Sequence, residues 1–277
     1  MIVHIDPTTT AIRMFSMPAL DDLLRPEVYP RSSIYDPAWL VSLNMGPNPL
    51  WLLEDLSRDL DLRPGMRVLD LGSGKGATSV FLAREFGVQV VAADLWIATD
   101  VAEEVFAAAG VADEVSAVNA EAHALPFEPE SFDAVVSIDS YEYFGTADSY
   151  LAYITRFLKP DGQLGIATPA MTAEVRNLGA IPPHVKALVG WEAIAWHTAE
   201  WWRFHWDITE LVTVTSARLQ EDGWHDWLLW TRACLDAGSS DRASLEQTIA
   251  MLEADEGEFL SFALVTARKN KSVSMRD

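Results

Sequence analysis

Cysteine is nearly absent from this chain of 277 residues, Cys234 being the one thiol. A lone cysteine excludes an intrachain disulfide and any multi-cysteine metal site. Cations are scarce too: 20 Lys and Arg stand against 41 Asp and Glu, a net charge of −21. Phosphate contacts need clustered cations, so this balance speaks against a nucleic-acid partner and against an anionic membrane surface. It permits a cationic or neutral small-molecule substrate, although a solvated acidic face is the commoner reason for such a surplus. Asp and Glu are scattered rather than set at ligand spacing, and no metal is expected. No apolar run reaches 18 residues and no signal segment is evident, so the chain reads as soluble and cytoplasmic. Repeats and low-complexity stretches are also missing. What is there is ordinary globular composition, 49% hydrophobic, in a length that fits one large domain with an elaboration. Oligomeric state is left open, and a homo-oligomer is compatible with everything in the sequence.

The order of elements is legible in part. Residues 1–17 carry no period and read as a loose arm. Residues 18–48 are rich in Pro, Tyr and Asn and suggest short turns, so 1–48 is taken as an N-terminal arm and lid, to which Tyr29, Tyr35 and Trp51 add aromatic faces. A stripe at Leu52, Leu53, Leu56 and Leu60 predicts a helix over 50–60. Strands then alternate with helices: strands near 67–72, 88–93, 114–119, 132–138 and 162–168, helices near 76–86, 99–109 and 146–158. Such alternation means parallel strands covered on both faces, a doubly wound α/β sheet. These sheets bind ligands at the carboxyl ends of their strands, where Asp70, Gly72, Asp94, Glu121 and Ser137 fall. Beyond residue 168 the pattern loosens. Ile181–His184 reads as a turn, 199–206 as a helix capped by Thr198, 211–215 as a strand, and 225–237 and 241–254 as helices. A final strand covers 259–267, and the tail from 268 to 277 is polar and frayed. The main domain is assigned to 49–277, with a substrate-covering segment at 169–206 and a helical insertion at 218–256.

The most informative stretch is Arg67-Val-Leu-Asp-Leu-Gly-Ser-Gly-Lys-Gly76. It reads as a buried strand, then a glycine turn that opens a helix. Glycine tolerates positive φ there and lets a ligand lie against the backbone. The spacing is G-x-G-x-G rather than the dinucleotide G-x-G-x-x-G, and about 20 residues on a second strand ends in an acid at Asp94. Downstream stand Glu121-Ala-His-Ala-Leu-Pro-Phe127, Ser131-Phe-Asp-Ala-Val-Val-Ser-Ile138 and Phe157-Leu-Lys-Pro-Asp-Gly162. In this order and at these distances, the four segments resemble the motifs of class I S-adenosylmethionine-dependent methyltransferases, within the methyltransferase type 11 and cyclopropane-fatty-acid-synthase-like superfamily. The resemblance covers roughly residues 64–168. It implies a seven-stranded, mostly parallel sheet with its last strand reversed, and S-adenosyl-L-methionine as cofactor. It also implies that the backbone at Gly72, Ser73 and Gly74 meets the methionine part, with Asp70 supporting the loop or the cofactor's amino group. Asp94 would take the ribose hydroxyls, with Leu95 and Trp96 on the adenine face. Glu121 and the Ala122 N–H would read the adenine edge, and Ser137 would lie toward the methionine end. Lys75 suits a solvent-facing loop position.

For chemistry beyond the cofactor, the resemblance points to Tyr141-Glu142-Tyr143-Phe144, which follows the fourth strand. Tyr141 and Glu142 are candidates for a proton acceptor or a group that orients the substrate. His197 and His205 sit in a tryptophan-rich stretch, 191–206, and can act as bases near neutral pH. His123 reads as a surface residue. The substrate pocket is placed between 139–144, the arm from Tyr29 to Asn48, and 191–206, with aromatic walls and few polar anchors. The function implied is methyl transfer to a small-molecule acceptor at N, C or O. The alternatives are methylene transfer to a lipid alkene, and a cofactor-binding protein without catalysis.

Overall fold

The computed structural model describes residue 20, residues 23–238 and residues 241–271. The arm expected at 1–17 and residues 272–277 of the expected tail lie outside the described residues, while 268 and 269, expected to fray, belong to the last strand. Strands β1 (Arg67–Leu71), β2 (Gln89–Asp94), β3 (Val115–Asn119), β4 (Phe132–Ile138), β5 (Leu158–Met171), β6 (Val212–Leu219) and β7 (Leu260–Lys269) form one sheet in the order β3-β2-β1-β4-β5-β7-β6. β1 pairs in parallel with both β2 and β4. β7 runs antiparallel to its neighbours β5 and β6. The central strands are near-continuous apolar runs because both faces are covered.

Side chains alternate across the pleat and split the core in two. Val68, Val90 and Val136 join α2 (Pro49–Ser57), α3 (Ala77–Phe86) and α4 (Thr99–Ala108) on one face. Leu69, Val91 and Val135 join α5 (Tyr150–Ile154) and α8 (Ala199–Asp207) on the other. α2 starts sharply because Pro49 occupies its first turn and the Asn48 side chain accepts from Leu50 and Trp51 N–H. α3 opens at Gly76, φ 93°, and closes at Gly87, φ 63°. α8 is capped by Thr198, whose Oγ1 accepts from Trp201 N–H at 3.1 Å.

Several boundaries depart from expectation. The helix expected over 146–158 is the short α5 followed by a 3-10 turn, Thr155–Phe157. There the Thr155 hydroxyl donates to Leu151 O at 2.8 Å, in competition with the backbone ladder. β5 begins at Leu158, ahead of the strand expected at 162–168, with Asp161 at φ 64° marking an irregularity near its start. Ile181–His184 is not a turn: Pro183 opens α7 (Pro183–Val189), preceded by the short α6 (Val175–Leu178). β6 continues past residue 215 to Leu219 after a bulge between Val214 and Ser216. The expected insertion is two helices, α9 (Gly223–Asp236) and α10 (Arg242–Asp255).

The segment before α2, which carries α1 (Pro37–Ser42), is fastened rather than lid-like. Tyr29, Tyr35 and Trp51 are buried in the core, a correction to their place in a lid. Tyr29 stacks on Trp51 with centroids 5.4 Å apart and donates to Asp226 of α9, which also pairs with Arg25. Tyr35 packs on Phe81 and donates to Glu85. Glu54, buried in α2, accepts from Arg31 N–H, Ser32 N–H and the Ser32 hydroxyl. Trp230 Nε1–H reaches back to Asn44 Oδ1 at 3.0 Å and Gly46 O at 2.9 Å. These ties hold loop 43–48 over the carboxyl ends of β1 and β4, where the strand order reverses.

Candidate functional site

Two cavities open at that edge. The smaller, about 280 Å³, is lined by Gly72, Ser73 and Gly74, by Asp94, Leu95 and Trp96, and by Ala120–His123, Ile138–Ser140, Tyr143 and Phe144, with loop residues Leu43 and Met45–Pro47 above. Its floor is the glycine turn after β1. Gly72 and Ser73 N–H both donate to Ala93 O, which ties the turn to β2. A Cβ on Gly72 would lie 2.0 Å from Ser140 Oγ, and one on Gly76 would lie 2.4 Å from the Phe106 ring. Both residues also hold positive φ, so sterics and backbone each demand glycine. Asp70 lies beneath, fully buried, and lines neither cavity. One oxygen accepts from Thr78 and Ser79 hydroxyls at 2.6 Å each, while the other has no protein partner. Burial pushes its carboxyl up to about 6, against the pull of the two hydroxyls.

Asp94 is the best-connected acid of the smaller cavity. Oδ1 accepts from Trp96 N–H at 2.8 Å and Ile97 N–H at 2.9 Å, and Oδ2 accepts from Gly74 N–H at 2.9 Å. One carboxylate thus shapes the loop after β2 and fixes the glycine turn. A carboxylate has about four acceptor sites, so one remains for a ligand. Trp96, exposed, meets Tyr143 edge-on at 5.9 Å across the mouth. Glu121 is engaged by His123, whose N–H and Nδ1 lie 3.0 and 2.7 Å from its oxygens. That contact holds the Glu121 carboxyl below its usual range. His123 is exposed, as expected, yet its ring borders the cavity.

The larger cavity, about 990 Å³, lies on the other side of Asp139. Its walls come from α1 and loop 44–47, from Glu142 and Tyr143, from Glu192 and Trp196, and from α7, α9 and α10. Met45, Gly46, Pro47, Lys75, Asp139 and Tyr143 belong to both cavities. Asp139 ends β4 at φ 52° and packs where Gly46 offers no side chain; a Cβ there would sit 2.3 Å from Oδ2. Glu142 is 5% exposed on a 3-10 turn, Tyr141–Tyr143, and Oε2 accepts from Thr168 Oγ1 at 2.8 Å. Burial pushes the Glu142 carboxyl up to about 7, with the Thr168 hydrogen bond opposing. Burial, and then the charge of Glu142, hold Asp139 well above the usual carboxylate range. Like charges this close disfavour double ionisation.

Five of the expected site residues lie outside the lining of both cavities. Asp70 stands behind the glycine turn, as described. Ser137 points into the opposite core layer; it is fully buried, its hydroxyl has no partner, and it lines neither cavity. Tyr141 is also fully buried, packed edge-on against Trp202 and Trp206 at 5.6 and 5.8 Å, so its neighbour Glu142 alone reaches the cavity. His197 and His205 line neither cavity. Both stack on Trp201, at 3.6 and 4.4 Å, and His197 Nδ1 pairs with Glu174 at 2.9 Å. Burial holds both rings below the usual imidazole range. Of the tryptophan-rich stretch only Glu192 and Trp196 face the larger cavity, and α7, α9 and α10 form much of the wall expected from it. Asp139, Ser140, Gly46 and Lys75 were not singled out as site residues from sequence. An acid at the end of a central strand and the Gly-Pro turn at 46–47 were the available signals.

Among the described residues, no group of three or more His, Cys, Asp or Glu is placed to hold a metal ion, and no helix is long and apolar enough to cross a membrane.

With this geometry in hand, residues 68–162 match a family model described as a methyltransferase domain. Residues 68–162 thus carry a methyltransferase domain, and the strand order with its reversed β7 is that of the class I methyltransferase fold. A methyltransferase of Streptomyces halstedii, GfsG, is 34% identical over 117 residues, 42% of either chain. The chain thus spans less than half the length of that relative. Among solved structures, phosphoethanolamine N-methyltransferase 2 of Haemonchus contortus, in complex with S-adenosyl-L-methionine, superposes with a TM-score of 0.68 at 21% identity, over 91% of this chain and 60% of that one. The [4+2]-cyclase SpnF superposes at 0.65 and 18% identity, over 80% and 81%. At such identities the likeness is one of fold.

Proposed function

We propose that this chain transfers a methyl group from S-adenosyl-L-methionine to a small-molecule acceptor, with the cofactor in the smaller cavity and the acceptor in the larger. The observation that carries this reading is their shared wall: Met45–Pro47, Lys75, Asp139 and Tyr143 border both. The residues fit the cofactor. The glycine turn forms a floor that side chains would fill, Asp94 keeps one acceptor site open, and Leu95 and Trp96 offer exposed apolar surface beside it. When bound, the cofactor supplies a methyl on a sulfonium, whose sulfur is its own leaving group. The chain's residues are left with positioning, the larger share of catalysis when two reactants meet in line. Gly72, Ser73 and Gly74 set the turn, Asp94 takes a ribose hydroxyl, and Glu121 with the Ala122 N–H border the adenine edge. Asp139 and Glu142 stand where the acceptor's proton can be held. Tyr141, His197 and His205 hold the packing behind that wall. The reading assigns the reaction to the cytoplasm and to small molecules rather than nucleic acid, in keeping with the acid surplus. Methylene transfer to a lipid alkene is not favoured, since carboxylates face the larger cavity.

Titration calorimetry on the full chain should show one site for S-adenosyl-L-methionine and for its demethylated product, each competing with the other. A folded chain that binds neither would overturn the proposal.

A further inference from the structure

The larger cavity has a charge pattern that the fold does not require. Among the described residues its charged wall consists of Asp139, Glu142, Glu192 and Asp241 against Lys75. Lys75 does not neutralise them: its Nζ turns to Ser42 O at 3.4 Å. Asp241 is occupied in part as the cap of α10, accepting from Ser244 N–H. Asp139 and Glu142 differ from the other two. Neither forms an ion pair among the described residues, and the Asp139 carboxylate takes no hydrogen bond from any of them. Glu142 is 5% exposed and uses only Oε2, on Thr168, which leaves Oε1 unpartnered at the cavity wall. A buried carboxylate without a partner is unfavourable unless something charged or hydrogen-bonding arrives. Trp196 and Trp227 share that cavity, 6.0 Å apart and tilted by 56°. Aromatic faces beside unpaired carboxylates suit a cation on both counts.

Resting on the methyl-transfer reading, we infer that the acceptor is an amine nitrogen, which enters the larger cavity as a cation and is held by the Asp139–Glu142 pair. Asp139 belongs to the wall common to both cavities, so a nitrogen bound there lies at the boundary the methyl must cross. The pair supplies two things. It replaces the hydration of the ammonium, and it takes the ammonium's proton. The freed lone pair then forms the N–C bond as the methyl's bond to sulfur breaks, with that electron pair leaving on sulfur. The N-methylated product carries the positive charge. A single shared proton suffices for two carboxylates that cannot both ionise unaided.

The experiment compares matched skeletons on the full chain: benzylamine, N-methylbenzylamine and phenethylamine, each against the alcohol and the carboxylate of the same carbon frame. Binding is read by calorimetry with and without S-adenosylhomocysteine, and products by mass spectrometry with isotopically labelled cofactor. At least one amine should bind ten times or more tighter than its alcohol and carboxylate, and should gain a labelled methyl on nitrogen. Asp139→Asn and Glu142→Gln, both near-isosteric, should each weaken amine binding about tenfold or more, and Glu142→Gln, which lines only the larger cavity, should leave cofactor affinity within about twofold. Alcohols or carboxylates bound as tightly as amines, no amine bound at all, or amine affinity unchanged in both variants would overturn the inference. With cofactor binding intact, each of those results leaves the methyltransferase reading standing. Only loss of cofactor binding by the native chain would remove both.

Discussion

Asp94→Asn tests the cofactor site at the atom where loop and ligand meet. The carboxylate accepts three backbone N–H groups and keeps one site free. In the amide, the oxygen can still accept from Trp96 and Ile97, so the turn after β2 survives. The amide nitrogen then faces Gly74 N–H, donor against donor, and the remaining ribose acceptor is lost. A hydrogen bond to a charged acceptor contributes about 1.5–3 kcal/mol. The Gly74 contact is partly exposed, so the lower end applies to stability: about 1.5 kcal/mol in urea unfolding. The ribose contact forms inside the cavity, and losing it should raise the cofactor Kd by roughly ten- to a hundredfold, at about 1.4 kcal/mol per tenfold. Asp94→Ala should weaken the fold further, because the turn at Trp96 and Ile97 is lost as well. Titration calorimetry gives the affinity and a saturating-cofactor assay gives the turnover, which should fall no more than about twofold. Unchanged affinity in Asp94→Asn, or a fall in turnover alone, would refute the ribose role.

Two further outcomes follow from the same edge of the sheet. Glu142→Gln should flatten the pH dependence of stability. The folded chain keeps this proton up to about pH 7, whereas the unfolded chain releases it near 4.5, so its stabilising contribution is full below 4.5 and fades as pH rises to 7. The gap, at 1.36 kcal/mol per pH unit, is on the order of 3 kcal/mol, and equal urea midpoint shifts between pH 5 and 8 in both proteins would refute it. Gly72→Ala should destabilise by about 2–3 kcal/mol, since its Cβ would strike Ser140 and its φ is 75°. Adding Ser140→Gly should recover the steric part and leave about 1 kcal/mol of backbone strain, and strict additivity in that double-mutant cycle would show that the two residues do not meet.

The lining of the smaller cavity was legible because its signals are local. The glycine turn, Asp94 at the end of β2 and Glu121-Ala122 after β3 each follow from a strand and the few residues beyond it, and the ends of β1, β2 and β3 were read to within a residue. The lining of the larger cavity was not legible because contacts across the chain decide it. Tyr141 and Glu142 are adjacent in sequence, yet the 3-10 turn sends one into the core against Trp202 and the other to the cavity. No local pattern separates them. His197 and His205 carry suitable chemistry, but stacking on Trp201 turns their rings away from both cavities. Tyr29 and Tyr35 sit in a Pro-rich stretch that reads as a loop, and long-range partners, Asp226 and Glu85, bury them.

Those long-range partners also explain why an unpaired acid can persist at the shared wall. Asp139 has a left-handed backbone and a carboxylate with no hydrogen-bonding partner among the described residues, a costly arrangement that something must hold in place. Gly46 holds it from above by offering no side chain. Gly46 is in turn held by Trp230 of α9, whose indole N–H also reaches Asn44. α9 is fixed at its start by Asp226, with Tyr29 and Arg25 bound to it. The wall between the two cavities therefore depends on the helices between β6 and β7, far from the glycine turn in sequence. Change in α9 can reshape the acceptor cavity while the glycine turn and Asp94, tied to β2, stay in register. That division of labour lets one part of the chain keep a constant cofactor geometry and another set what is brought to it.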